Sequence, residues 1–176
     1  MSQEERAALL NGPYSMEVDY SRSIEDSLTA GRYDRLFSRI TSASFPGSEA
    51  GQARLSAVLI PFSPLASLDY ILHLPAAAGR RPATFKELLA FGEAYPEVQR
   101  KLPIMALGSS VDLVVTVYHR ESSQGSSMMG HTETEYKRVR LYPFLTGSLF
   151  GRSVSLEWLD DPEAYGTYYA CFVKEE

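Results

Sequence analysis

The chain has 176 residues, 44% of them apolar, enough for one substantial core and too few for two. Its 17 Lys and Arg against 22 Asp and Glu leave a net charge of -5, which offers phosphate backbones no global attraction and disfavours general nucleic-acid binding. The single cysteine, Cys171, excludes an internal disulfide, and no apolar run approaches the roughly 20 residues of a membrane helix. The expectation is a single cytoplasmic domain over 1–176 with no cofactor, and with a candidate N-terminal subdomain over 1–51.

The opening MSQEERAALLNGPYS is acidic and polar around a short apolar segment, Ala7 to Leu10. It lacks the basic start and longer apolar core of a signal peptide and reads as a frayed helix or an ordered arm. Glu17 to Tyr20 reads as a short strand. Ser21 to Ala30 reads as a helix capped by Ser21 or Ser23, with Ile24 and Leu28 one turn apart and Gly31 placed for a left-handed C-cap. Tyr33, Leu36, Phe37 and Ile40 continue an apolar face at helical spacing, with a distorted strand as the alternative. Phe45-Pro46-Gly47-Ser48 ends that unit, and the polar stretch to Gly51 is the best internal boundary.

Ala53 to Phe62 is a strand that can bury Leu55, Ala57 and Leu59 on one face and Val58 and Ile60 on the other, ending near Pro61. Ser63-Pro64 reads as a helix start, with Leu65, Leu68, Ile71 and Leu72 as its stripe. Then comes the most ordered signal in the chain, RPATFKELLAFGEAYPEVQRKLPIMALGSS at 81–110. Thr84 with Glu87 three residues on makes a capping box; Pro96 stops the helix at Tyr95; Glu97 to Leu102 forms a second short turn; and Ile104 to Leu107 is a buried strand. This βαβα alternation gives way after Gly108 to β-rich sequence. Strands are predicted at Val111 to His119, Glu135 to Leu145, Ser153 to Leu159 and Thr167 to Lys174, with a Gly- and Ser-rich loop, Glu121 to Glu133, between the first two.

The blocks at 81–109 and 153–174, with VDYSRSIEDSLTAGRYD at 18–34 and SFP at 44–46, resemble a loose group of uncharacterised bacterial and phage-associated small proteins. The tail, through Trp158, the acidic turn after it and the closing aromatic strand, is similar to C-type-lectin-like ligand-binding domains. That resemblance implies a binding role and an assembling interaction protein of a phage or mobile element, and it implies no activity. The lone cysteine and the 121–133 insertion depart from the lectin-like pattern.

No reaction motif stands out. Glu157, Asp160, Asp161 and Glu163 surround a turn in which Ca²⁺ could find oxygens, but Asp161-Pro162 is a common turn dipeptide and no EF-hand order is present, so a solvated acidic turn is the expectation. His73, His119 and His131 form no zinc pattern. Ser109 and Ser110 follow a glycine without the G-x-S-x-G geometry of a nucleophile elbow. Lys137, Arg138 and Arg140 lie on a strand with both arginines on one face beside Tyr136, Tyr142 and Phe144, a surface suited to an acidic partner or simply a charged sheet face. Cys171 reads as a small buried residue.

The resulting expectation is an α+β fold, an N-terminal helix and strand layer over a mostly antiparallel C-terminal sheet. The expected function is non-catalytic binding of a protein or small ligand. Its recognition surface is placed at Trp158, Asp160, Asp161, Glu163, Tyr165 and Tyr169. The alternatives are an enzyme using His119, His131 and Asp112, and an oligomeric interaction protein.

Overall fold

The computed structural model describes residues 2–176 except 11, 48, 64–65, 75–76, 78, 121–131, 149 and 160–165, and side chains except those also at 117–120 and 132–134. In chain order the elements are α1 (Gln3–Leu10), β1 (Tyr14–Asp19), α2 (Ile24–Gly31), β2 (Arg35–Leu36), β3 (Gln52–Phe62), α3 (Leu68–Leu72) and β4 (Arg81–Pro82). They continue with α4 (Phe85–Ala94), α5 (Pro96–Lys101), β5 (Ile104–Met105), β6 (Val111–Arg120), β7 (Thr132–Ser148), β8 (Gly151–Trp158) and β9 (Tyr168–Glu175).

All nine strands join one sheet in the order β1-β3-β9-β5-β7-β8-β2, with β4 also on β9 and β6 on β7. Pairing is antiparallel except at β2–β8 and β5–β9. The fold is α+β, as the periodicities suggest. The N-terminal strands are part of that sheet and not a separate layer: β1 pairs β3 from Tyr14↔Ala57 to Asp19↔Gln52, and β2 lies against β8. Met16, Val18, Tyr20, Ile24, Leu28, Ile40 and Phe45 share one buried cluster with β3, α4 and β9.

Strand alternation sorts the side chains. Leu55, Ala57 and Leu59 of β3 join Tyr169, Cys171 and Val173 of β9 on one face, under Phe85, Leu88, Leu89 and Phe91 of α4, all buried. Ile60 and Phe62 join Ala170, Phe172, Tyr142 and Phe144 on the other, covered by Ile71 of α3. β3 ends at Phe62, one residue past Pro61, which pairs with Tyr169. On the helix side α5 lies directly on the β7–β8 hairpin. A Cβ at Gly147 would sit 2.4 Å from Arg100 Cα, so only glycine allows that approach.

The 81–110 unit folds as read, but its cap is half made. Glu87 Oε2 accepts from the Thr84 N–H at 2.7 Å, whereas the Thr84 hydroxyl, turned toward the N3 amide, is buried outside hydrogen-bonding geometry. The first helical amide, Phe85 N–H, donates instead to Ser109 Oγ at 2.9 Å. Ser109 is thus a cap supplied from across the fold, and its place after Gly108 has a structural use.

Two other expectations change. The left-handed residue after α2 is Arg32 (φ 50), not Gly31. Gly31 serves close packing, since a Cβ there would meet the Tyr33 ring at 2.3 Å. The Tyr33–Ile40 stretch is not helical; it holds the two-residue β2, and its Leu36 and Phe37 are exposed. The helical spacing of its apolar residues is overruled by the open edge of β8, which takes the Arg35–Leu36 backbone as a parallel strand.

Two polar networks are buried under the helices. Glu87, wholly buried, bonds both Arg81 nitrogens (2.6 and 2.8 Å) and accepts from the Tyr20 hydroxyl. Burial would raise its carboxyl, but the Arg81 guanidinium and the Tyr20 hydroxyl outweigh it and hold it below the usual range. Arg152 is buried among acceptors of three helices: Gln99 Oε1 of α5, the Gly31 carbonyl of α2 and the Gly92 carbonyl of α4. Desolvation lowers its guanidinium below the usual arginine value.

Candidate functional site

The long strand β7 builds an exposed two-stranded ribbon with β6. Its C-terminal half is held between β8 and β5, but β8 ends at Trp158 opposite Leu141. From Asp112↔Arg140 to Arg120↔Thr132, β7 pairs only β6 among the described residues, and the two form a ribbon roughly 26 Å long at about 3.3 Å per residue. The sequence favours it: Val111, Leu113, Val114, Val115 and Val117 are strong strand formers.

Register assigns the faces. On one, Asp112 pairs with Arg140 (Nε to Oδ1, 3.1 Å), Val114 faces Arg138, and Thr116 faces Tyr136. Val114 is 53% and Tyr136 74% exposed, large apolar groups with no cover among the described residues. At the root of this face Leu68, Asp112, Arg138, Arg140, Tyr142 and Leu159 enclose a cavity of about 440 Å³, with two guanidiniums against one carboxylate. The arginines and Tyr136 do share a face, while Tyr142 and Phe144 of the same row continue into the core. On the other face Leu113 and Val115 sit beside Val139 and Lys137, and the Lys137 ammonium lies 4.6 Å from the centre of the Trp158 ring.

Of the six residues expected to form a recognition surface, Asp160, Asp161, Glu163 and Tyr165 lie outside the described residues. The other two do not converge. Trp158 is largely buried at the end of β8, in line with Val154 and Leu156, and flanks the ribbon root. Tyr169 is in β9, 2% exposed, its hydroxyl accepting from Arg6 Nε of α1 and its ring under that guanidinium. It is core, not contact surface. The Leu59↔Cys171 register puts Tyr169 on the helix side of the sheet.

For the enzyme alternative, Asp112 is engaged with Arg140, His131 lies outside the described residues, and His119 is placed only by its backbone, opposite Glu133. His73 is exposed and its Nδ1 donates to the Asp69 carbonyl at 2.8 Å. Among the described residues no three His, Cys, Asp or Glu side chains converge as a metal site. Cys171 is buried, and desolvation raises its thiol far above the usual value. None of the helices among the described residues is long and apolar enough to cross a membrane.

The ribbon could not be found from composition, because its exposure follows from where β8 stops, 17 residues after Leu141. Comparison with protein-family models, with characterised proteins and with solved structures gives no match.

Proposed function

We propose that the chain is a non-catalytic protein-interaction module of the cytoplasm that binds another protein chain along the β6–β7 ribbon, with Trp158 supporting the ribbon root. One observation carries this reading: β6 is a Val-rich strand whose outer edge pairs with no strand among the described residues, while Val114 and Tyr136 stand exposed on the ribbon face. Natural sheets protect such edges with charge, proline or cover, and a long apolar edge left open is a surface for a partner. The arginine-lined root cavity favours a partner that brings a carboxylate to Arg138 or Arg140.

Site-specific photo-crosslinking in the native host tests it. A benzophenone side chain at Val114 is expected to give discrete adducts, identified by mass spectrometry, that a control probe at the exposed Asp69 does not give and that Tyr136→Asp removes. An adduct with a second copy of the chain would make the module self-assembling. The same adduct pattern from both positions, or none from Val114, would overturn the reading.

A further inference from the structure

At the opposite end of the sheet, β1 has an outer edge that pairs with no strand among the described residues, and here a groove runs beside it. Tyr20 N–H donates to the Gly51 carbonyl at 2.8 Å, so by alternation Val18 and Met16 are the residues that bond β3. Arg54, opposite Glu17, agrees: its carbonyl accepts from Glu176 N–H, on the side away from β1. Ser15, Glu17 and Asp19 therefore turn their N–H and C=O groups outward. Two of these carbonyls are already met from within the chain, that of Ser15 by the Tyr95 hydroxyl and that of Asp19 by the Arg22 N–H at 3.3 Å, which leaves the three N–H groups and the Glu17 carbonyl for a partner.

The outward groups line a groove of about 550 Å³, within the range that holds specific ligands. One wall is the unbroken backbone run Ser15 to Asp19; the other is α4, through Ala90, Glu93 and Ala94. The helix runs antiparallel to the strand. It is tied to it at one end by Lys86 Nζ on the Tyr20 carbonyl and at the other by Tyr95 on Ser15. Between the ties Ala90 and Ala94, one turn apart, leave the space open.

We propose that this groove binds an extended peptide segment of a partner protein, added as a further strand to the outer edge of β1, with a basic side chain directed to Asp19. Backbone N–H and C=O groups at strand spacing recognise another backbone, and an edge strand beside a helix admits one strand and no more. Side chains on the helix side of the incoming strand must be small, since they face Ala90 and Ala94. The charge requirement comes from the lining, which holds Glu17, Asp19 and Glu93 against Arg22 and Lys86. Arg22 is bound by Glu93 at 2.7 Å, Glu17 by Arg54 at 2.8 Å, and Lys86 by the Tyr20 carbonyl. The hydroxyl and amide of Ser21, with Gln52 and the Arg22 charge, hold the Asp19 carboxyl below the usual range, and with three carboxylates against two cations in the lining Asp19 is the carboxylate that makes no ion pair among the described residues and faces the peptide.

The probe is a phage-displayed library of random dodecapeptides panned on the full chain, followed by fluorescence anisotropy with the enriched peptides. Enriched sequences should share a Lys or Arg in a β-branched, small-residue stretch, and amide chemical-shift changes should fall on Ser15 to Asp19 and Ala90 to Ala94. Glu17→Pro removes an outward N–H that the β1–β3 ladder does not use, so it should keep the melting temperature and weaken binding at least tenfold. Ala94→Trp should fill the groove and abolish binding, and it decides together with the shift map if the proline variant does not fold. No enrichment over an unrelated protein, equal affinity for Glu17→Pro, or shifts confined to other strands would overturn the proposal. Val114→Lys in the ribbon should leave peptide affinity unchanged, so the groove and the ribbon stand or fall separately.

Discussion

Arg152 and Gln99 meet twice in the core: one amide oxygen, Gln99 Oε1, accepts from Arg152 Nε at 3.0 Å and from Nη2 at 2.8 Å. The Gln99 amide nitrogen is spent as well, donating to the Thr146 and Ser153 carbonyls at 3.1 Å each. With the Gly31 and Gly92 carbonyls on the same guanidinium, this pair joins α2, α4 and α5 to the β7–β8 hairpin, and a buried cation is tolerated because each of its three nitrogens has an acceptor.

Removing Arg152 should therefore be among the most damaging single changes. Arg152→Met leaves three buried acceptors unpaired and is expected to lower stability by about 3–5 kcal/mol in denaturant unfolding. Gln99→Leu with Arg152→Met should lose less than the sum of the two single changes, by about 1–3 kcal/mol, because the first removes an acceptor that the second would have orphaned. Additive losses in the double-mutant cycle would show the two side chains to be independent.

The cap of α4 gives a contrast between two hydroxyls. Ser109→Ala should cost about 1 kcal/mol, since it strips the acceptor from Phe85 N–H. Thr84→Ala should change stability by less than about 0.5 kcal/mol, because its hydroxyl bonds nothing. Thermal unfolding of the two variants side by side checks the order; a larger loss for Thr84→Ala would restore the full capping box.

Glu87 sets an acid limit. Its carboxyl is held below the usual range in the folded chain, so the unfolded chain binds its proton more tightly. The stabilisation is therefore complete above the ordinary carboxylate range and is lost as pH falls through the lower folded value. Stability measured from pH 7 to pH 3 should fall, and Glu87→Gln should start lower by about 1.5–3 kcal/mol and show a shallower decline. Parallel pH profiles for the two proteins would remove Glu87 from the account.

Trp158 and the ribbon should separate stability from recognition. Trp158 is largely but not wholly buried, so Trp158→Ala is expected to cost about 2 kcal/mol, below the roughly 3–5 of a fully enclosed aromatic. Val114→Lys and Tyr136→Ser each touch only an exposed position and should leave the melting temperature within about 2 °C, and Tyr136→Ser should abolish the adducts of the probe at Val114. A large fall in melting temperature would mean that the ribbon packs where it is described as open.

What the sequence revealed was what is encoded locally. The α4–α5–β5 unit could be read because Glu87, Pro96 and the apolar run at Ile104 act within a few residues of one another. The Tyr33–Ile40 stretch left helix and distorted strand open because its apolar spacing fits a helix, and only the distant edge of β8 decides for the strand. Arg152 and Gln99 are 53 residues apart and gave no signal, since burial of a polar pair is a property of packing alone. Tyr169 was assigned to a surface because tyrosine serves both core and contact, and only register distinguishes them. The β1 groove was likewise invisible: strand order, not sequence order, makes β1 an edge and lays α4 along it.

Cys171 has a practical consequence. It is the chain's only thiol, fully enclosed in β9 between β3 and β5, and burial keeps it protonated. A thiol-reactive dye can reach it only when α4 lifts from the sheet, so the labelling rate in plain buffer is a clock for opening of that buried layer. Every variant discussed above can be ranked on that clock without denaturant and without adding a reporter.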